Sequence, residues 1–284
     1  MKIKISAEST IDLPKSLLEE YDISTLPFQV TLGDNVYYDG EISSEEIINF
    51  ANETKILPKT NAINEYTYTE YFTELLKDSD YVIHFCLSSG LSCACNNAKM
   101  AAKNSFDGKV FVVDTMSLST GIALLAITAV KLAKEGLPVN EIVEKVEKRV
   151  PFVNASFELK RLDFLYKGGR CSALSYFGAN LLKIHPQIIV KDGKMISGKK
   201  YRGSFAKVVD SYCKDTLELF NNPDLSQAFV TYTTAEDEIV EIAVKHLKEA
   251  GFKRIDVTRA GGTITSHCGE NCLGILYIND GGNF

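Results

Sequence analysis

Apolar and polar positions alternate every second residue from Lys2 to Ala7, the period of a half-buried strand. Asp12-Leu13-Pro14 then predicts a turn into a helix with proline in its first turn. Residues 24–32 and 36–39 predict strands around the turn Gly33-Asp34-Asn35, and Ser43 with Glu46 has the spacing of a capping box opening a helix to about Asn52. Apolar residues three and four apart predict a helix over 67–77. The unbroken run Tyr81 to Leu87 is the pattern of a strand buried on both faces of a parallel sheet. A helix at about 93–103, a strand at 110–113 and helices at 119–134 and 139–149 continue the alternation. Such β–α repetition predicts a doubly wound sheet with its ligand crevice at the carboxyl ends of the strands.

Around Val150-Pro151 the pattern changes. A strand at 152–158 is followed by Gly168-Gly169, a helix from about Ser172, and a hairpin turning at Asp192-Gly193 between arms 187–191 and 194–198. Helices at 204–220 and 236–249 alternate with strands at 227–233, 254–258 and 273–278. The expectation is an α/β protein of two domains. Residues 1–150 carry a mostly parallel doubly wound sheet, and residues 151–284 form a mixed α/β domain. The last residues, Asp280 to Phe284, read as a loose tail.

Composition narrows the function classes. Hydrophobic residues are 45% and charged residues 24%, as in a folded globular chain, and the net charge of −6 without a long basic run argues against a nucleic-acid binder. The N-terminus lacks the apolar segment of a signal peptide, and the most apolar stretch, Gly121 to Val130, is about half the length that spans a bilayer. Seven cysteines, an odd number, then read as reduced thiols in a cytoplasmic protein.

Three segments rich in small hydroxyl residues sit where strands end: Pro58 to Asn61, Leu87 to Ser92, and Gly261 to Gly269, all read as loops. The second directly precedes a helix, whose free N–H groups and dipole suit an anion; taken alone, Ser92 also reads as a simple capping serine.

On these residues the chain resembles the DegV family, the fatty-acid-binding subunits of bacterial fatty acid kinase. Ser9-Thr10-Ile11-Asp12-Leu13 is similar to the family's S-T-x-D-L, and Lys59-Thr60 to the start of its T-S-Q-P loop. Ser88-Ser89-Gly90-Leu91-Ser92 is similar to S-S-x-L-S, and Val113-Asp114-Thr115 with Ser117 and Ser119 to V-D-T-x-x-x-S. Leu165 to Arg170 resembles L-x-K-G-G-R, Lys200 to Gly203 resembles K-x-R-G, and Ser266 to Gly269 resembles the H-x-G loop. Seven motifs in order cover nearly the whole chain. The resemblance implies a long-chain fatty acid held between two domains, with Thr60, Ser92 and His267 binding its carboxylate. Ser89, Arg170 and Arg202 would be secondary residues of the pocket or face a partner. It further implies no cofactor and a separate kinase subunit as partner, and transient membrane contact is expected because the lipid has to enter and leave. The chain departs from the pattern at Asn61-Ala62-Ile63, Cys93-Ala94-Cys95 and Glu270-Asn271-Cys272. Chemistry agrees with the implied ligand: hydroxyls at a helix start donate to a carboxylate, and burying about 14 methylenes at ~0.8 kcal/mol each yields at most roughly 11 kcal/mol.

Two rivals stand beside this reading. Gly90-Leu91-Ser92-Cys93-Ala94 nearly spells a nucleophile elbow, with His267 as base and Asp114 as its orienter, which would make a Ser/His hydrolase. Cys93, Cys95, Cys268 and Cys272 beside His267 offer zinc-ligand types in an unusual spacing; the alternative, preferred here, is that they line an apolar cavity and no metal is held. His84, within a buried strand, reads as a core residue.

Overall fold

The computed structural model describes residues 2–171 and 185–282. The helix expected from about Ser172 lies outside the described residues, as do Asn283 and Phe284 of the expected tail. The α/β class is as expected, with a parallel sheet built first and a mixed sheet second.

The parallel sheet has the order β2 (Ile23–Leu26), β1 (Ile3–Glu8), β6 (Tyr81–Cys86), β7 (Val110–Asp114). Helices α3 (Glu65–Leu75) and α4 (Ala94–Ser105) cover the face that carries His84 and Cys86. Tyr68, Tyr71 and Phe72 meet the His84 ring edge-on, and Cys95 meets Cys86. The second sheet runs β10 (Lys194–Tyr201), β9 (His185–Lys191), β8 (Val153–Leu159), β13 (Cys272–Ile278), β11 (Ala228–Tyr232), β12 (Ile255–Arg259). Its pairings are antiparallel except β11 with β12.

Helix α5 (Thr120–Lys134) packs on β1 and β6 of the first sheet and on β8, β11 and β13 of the second. Twelve of its residues are buried, and a helix between two layers must be apolar all round. That is why Gly121 to Val130 is the most apolar stretch in the chain. The main core is accordingly continuous, running from Ile5 through Leu125 to Ile278, while α8 (Phe205–Leu219) and α9 (Asp237–Glu249) bury a second cluster around Tyr212, Leu247 and Tyr277.

Four expectations are corrected. The strand expected over 24–32 is interrupted at Pro27-Phe28, because proline has no N–H for a ladder, and the two pieces join different sheets. The second piece, β3 (Gln29–Leu32), lies between β4 (Asn35–Tyr38) and β5 (Lys59–Asn61) in a small antiparallel sheet, so Thr60 sits on a strand rather than a loop. The loop expected over 261–269 is mostly helix α10 (Gly262–Cys268), which lacks a capping side chain of its own. The chain end is not loose at Asp280. Its carboxylate, with that of Asp224, pairs with the Arg149 guanidinium, which is 3% exposed.

Candidate ligand cavity

Helix α10 forms because distant carboxylates satisfy its first amides. Gly261 N–H donates to Asp12 Oδ1 at 2.8 Å, and the Gly262 and Thr263 amides donate to Asp39 at 2.6 and 3.1 Å. Ser9 Oγ donates to Asp39 and Ser119 Oγ donates to Asp12 at 2.5 Å, tying the helix start to the ends of β1 and β4 and the start of α5. Burial and the neighbouring Asp39 push the Asp12 carboxyl up to about 8.

Held in this way, α10 points Thr263, Ile264, His267 and Cys268 into a cavity of about 280 Å3. Phe28, Leu87, Leu91, Leu118 and Met195 supply most of its remaining apolar wall. Strand β5 brings Thr60 to the same wall, and Thr60 Oγ1 shares a 2.9 Å hydrogen bond with His267 Nε2. Burial first, and then the Arg170 guanidinium, pushes His267 down to about 4, so the ring is neutral at pH 7. Its Nδ1 has no partner among the described residues and faces Gly168, where an added Cβ would come within 2.7 Å of it. Gly168 is therefore needed for its size. It follows helix α7 (Asp163–Lys167), a short turn the sequence pattern did not reveal.

Ser92 is also in the wall. Its Oγ accepts the Ala94 N–H at 3.2 Å, and α4 starts one residue later than expected, with Cys93 at the N-cap. Buried Ser88 donates to Gly193 O at 2.7 Å, clamping this loop to the β9–β10 hairpin. Arg170 is exposed at the cavity edge and donates to Gly168 O at 2.7 Å. Ser89 and Arg202 are outside the wall: the Ser89 N–H is spent on Asp114, and Arg202 is exposed just beyond β10. The structure thus brings together Thr60, Ser92, His267 and Arg170, with Ser89 and Arg202 apart.

Neither rival constellation assembles. Asp114 Oδ1 accepts the Ser89 and Met116 amides, while His267 bonds Thr60 rather than Ser92, so Ser92, His267 and Asp114 form no relay. The cysteines divide: Cys95 meets Cys86, Cys268 meets Cys272, and Cys93 is exposed in the cavity wall.

Pattern reading missed several residues that matter here. The roles of Thr263 and of the acid pair Asp12 and Asp39 become visible only once the fold joins residues more than two hundred positions apart. Glu8, fully buried, accepts from Tyr68 Oη at 2.5 Å and from the Leu87 N–H at 2.6 Å, fixing the strand end that leads into the Ser88–Ser92 loop. Burial pushes it up to about 7. His84 is buried as expected and is pushed down to about 3, with Nδ1 bonded to Ser6 Oγ at 2.9 Å; its Nε2 has no partner among the described residues.

A family described as "Uncharacterised protein, DegV family" matches residues 2–280. A protein of Thermotoga maritima named "Fatty acid-binding protein" is 32% identical over 285 residues, covering 96% of each chain. A DegV family protein from Thermus thermophilus, whose structure is described as fatty acid binding, superposes with a TM-score of 0.91 at 26% identity, over 98% of this chain and 100% of that one. A DegV lipid-binding protein from Thermotoga maritima gives 0.83 at 30% identity, over 98% of each chain.

Proposed function

The chain belongs to the DegV family, and we propose that it is a carrier that encloses one long-chain fatty acid and presents the carboxylate to a separate fatty acid kinase. The observation that carries this reading is the polarity of the cavity: an apolar wall with Thr60, Ser92 and His267 gathered in it. The hydroxyls and the neutral imidazole offer hydrogen bonds without a buried permanent charge, and Arg170 adds one cation at the edge. Residues 1–150 supply Thr60 and Ser92, and residues 151–284 supply Arg170 and His267, so the acid would lie between two domains. The acyl chain would run past Leu118 and Ile264 toward a second, much smaller cavity of about 20 Å3, which shares those two residues and Cys268 with the first.

Acyl-phosphate formation belongs to the partner, the acyl phosphate stays bound to the carrier and passes to phospholipid synthesis, and the carrier needs no cofactor and catalyses no reaction of its own. It works in the cytoplasm with transient membrane contact; among the described residues, no helix is long and apolar enough to cross a membrane. Charge favours an anionic partner or surface. Between Lys160 and Lys207 the sequence has eleven lysines and arginines against two aspartates, +9 in a chain of net −6.

Native mass spectrometry of the purified protein, followed by organic extraction, tests the reading. One fatty acid per chain, weakened by Thr60→Ala or His267→Ala, is the expected result. An empty protein that takes up neither palmitate nor oleate would overturn it.

A further inference from the structure

Helix α10 carries three hydroxyl side chains, and two are bonded within the protein. Thr265 Oγ1 shares a 2.8 Å hydrogen bond with Ser44 Oγ, and Ser266 Oγ donates to Gly262 O at 2.7 Å. Thr263 differs. It belongs to the cavity wall, is 3% exposed, and its hydroxyl has no hydrogen-bond partner among the described residues. A helical threonine commonly bonds the carbonyl three or four residues back, but Thr263 is in the first turn, and Arg259 four residues back ends strand β12.

The backbone amides up to and including its own are already engaged. The Gly261, Gly262 and Thr263 amides are all taken by Asp12 and Asp39. Among the described residues, the Thr263 hydroxyl is therefore the one side-chain polar group of this first turn left to serve a polar ligand atom. An unsubstituted methylene chain cannot satisfy it, and a buried hydroxyl without a partner is unfavourable.

We propose that Thr263 recognises an oxygen carried on the acyl chain itself, so that the cavity takes hydroxy or oxo fatty acids. This rests on the fatty-acid reading given above and names the ligand class more narrowly. Thr263 and His267 are four residues apart on one helix face, where Cβ atoms are about 5–6 Å from each other. With the carboxylate at Thr60 and His267, an oxygen reaching Thr263 is only a few carbons along the chain.

Isothermal titration of the full-length protein with palmitate and with 2- to 6-hydroxypalmitate decides it, using the parent protein, Thr263→Val and Thr263→Ser. The expected result is one or more hydroxy isomers bound about tenfold tighter than palmitate by the parent. That preference should vanish in the valine variant and persist in the serine variant. A preference that survives Thr263→Val, or no preference in the parent, overturns the proposal while palmitate binding leaves the carrier reading intact. Weaker palmitate binding by Thr263→Val also overturns it, since the hydroxyl would then serve the carboxylate. Failure of the parent to bind any of these acids removes the carrier reading and this inference together.

Discussion

Gly168 and Gly169 are adjacent, yet adding one methyl to each should have different effects, and the difference tests the His267 site directly. Gly168 has φ −67, which alanine adopts freely, but the new Cβ would be 2.7 Å from His267 Nδ1 and 2.9 Å from Phe164 O. The second neighbour is backbone and yields little, so the imidazole must move. Overpacking of this kind costs about 1–3 kcal/mol, and the ring can relieve it only by giving up its 2.9 Å contact with Thr60. Hydrogen bonds to a charged group contribute about 1.5–3 kcal/mol each, so displacing one donor from the carboxylate should weaken palmitate binding roughly 10- to 100-fold. Gly169 has φ +71 and open space where its Cβ would be. Alanine there is strained by about 1–2 kcal/mol without touching the cavity. The expected outcome is that Gly168→Ala loses affinity, while Gly169→Ala binds palmitate within about twofold and melts a few degrees lower. Titration calorimetry paired with thermal melts measures both. A folded Gly168→Ala protein with unchanged palmitate affinity would show that His267 does not touch the ligand head.

Three further outcomes follow from differences in burial. Asp12 and Glu8 have folded pKa values raised to about 8 and about 7 by burial, so their stabilising share is complete below pH 4 and is lost as pH rises through 7 and 8. Asp12→Asn should therefore gain in melting temperature relative to the parent between pH 6 and pH 9; a difference that stays flat over that range would contradict the burial argument. Asp280→Ala takes one of two carboxylates from a guanidinium that is 3% exposed, and breaking such a pair costs about 3–5 kcal/mol, so a melting drop on the order of 10 °C should appear in calorimetry. Cys93 is exposed in the cavity wall while the other six cysteines are buried, so iodoacetamide should label it first, and saturating palmitate should slow that labelling severalfold in peptide mapping.

The parts of the fold that were legible in the sequence are those whose signals are local. The capping box of Ser43 and Glu46 opens α2 (Ser44–Thr54) where the pattern predicts it, and the hairpin turns at Asp192-Gly193 as expected. Helix α10 was illegible because what starts it is not nearby: the acceptors for its first amides, Asp12 and Asp39, lie more than two hundred residues upstream. Strand β5 was hidden for a related reason, since three residues have no periodicity and pair only because β3 runs beside them. The same split applies to the cavity. Thr60, Ser92, His267 and Arg170 were found through motifs, whereas Thr263 is one of several hydroxyl residues in the segment Gly261 to Gly269 and acquires meaning only from its unpartnered hydroxyl.

The proposed chemistry of the cavity divides affinity from orientation. About 14 methylenes transferred from water contribute at most roughly 11 kcal/mol, against several kcal/mol for removing a carboxylate from water. The acyl chain thus drives binding, and the head needs only enough hydrogen bonds to offset its desolvation. A cation buried against it would hold it more strongly and oppose transfer to a partner. Burial keeps His267 neutral, and the guanidinium nearest the site, Arg170, stays exposed. A head bound in this way is fixed in direction but only moderately in energy, which suits a carboxylate that must be handed on.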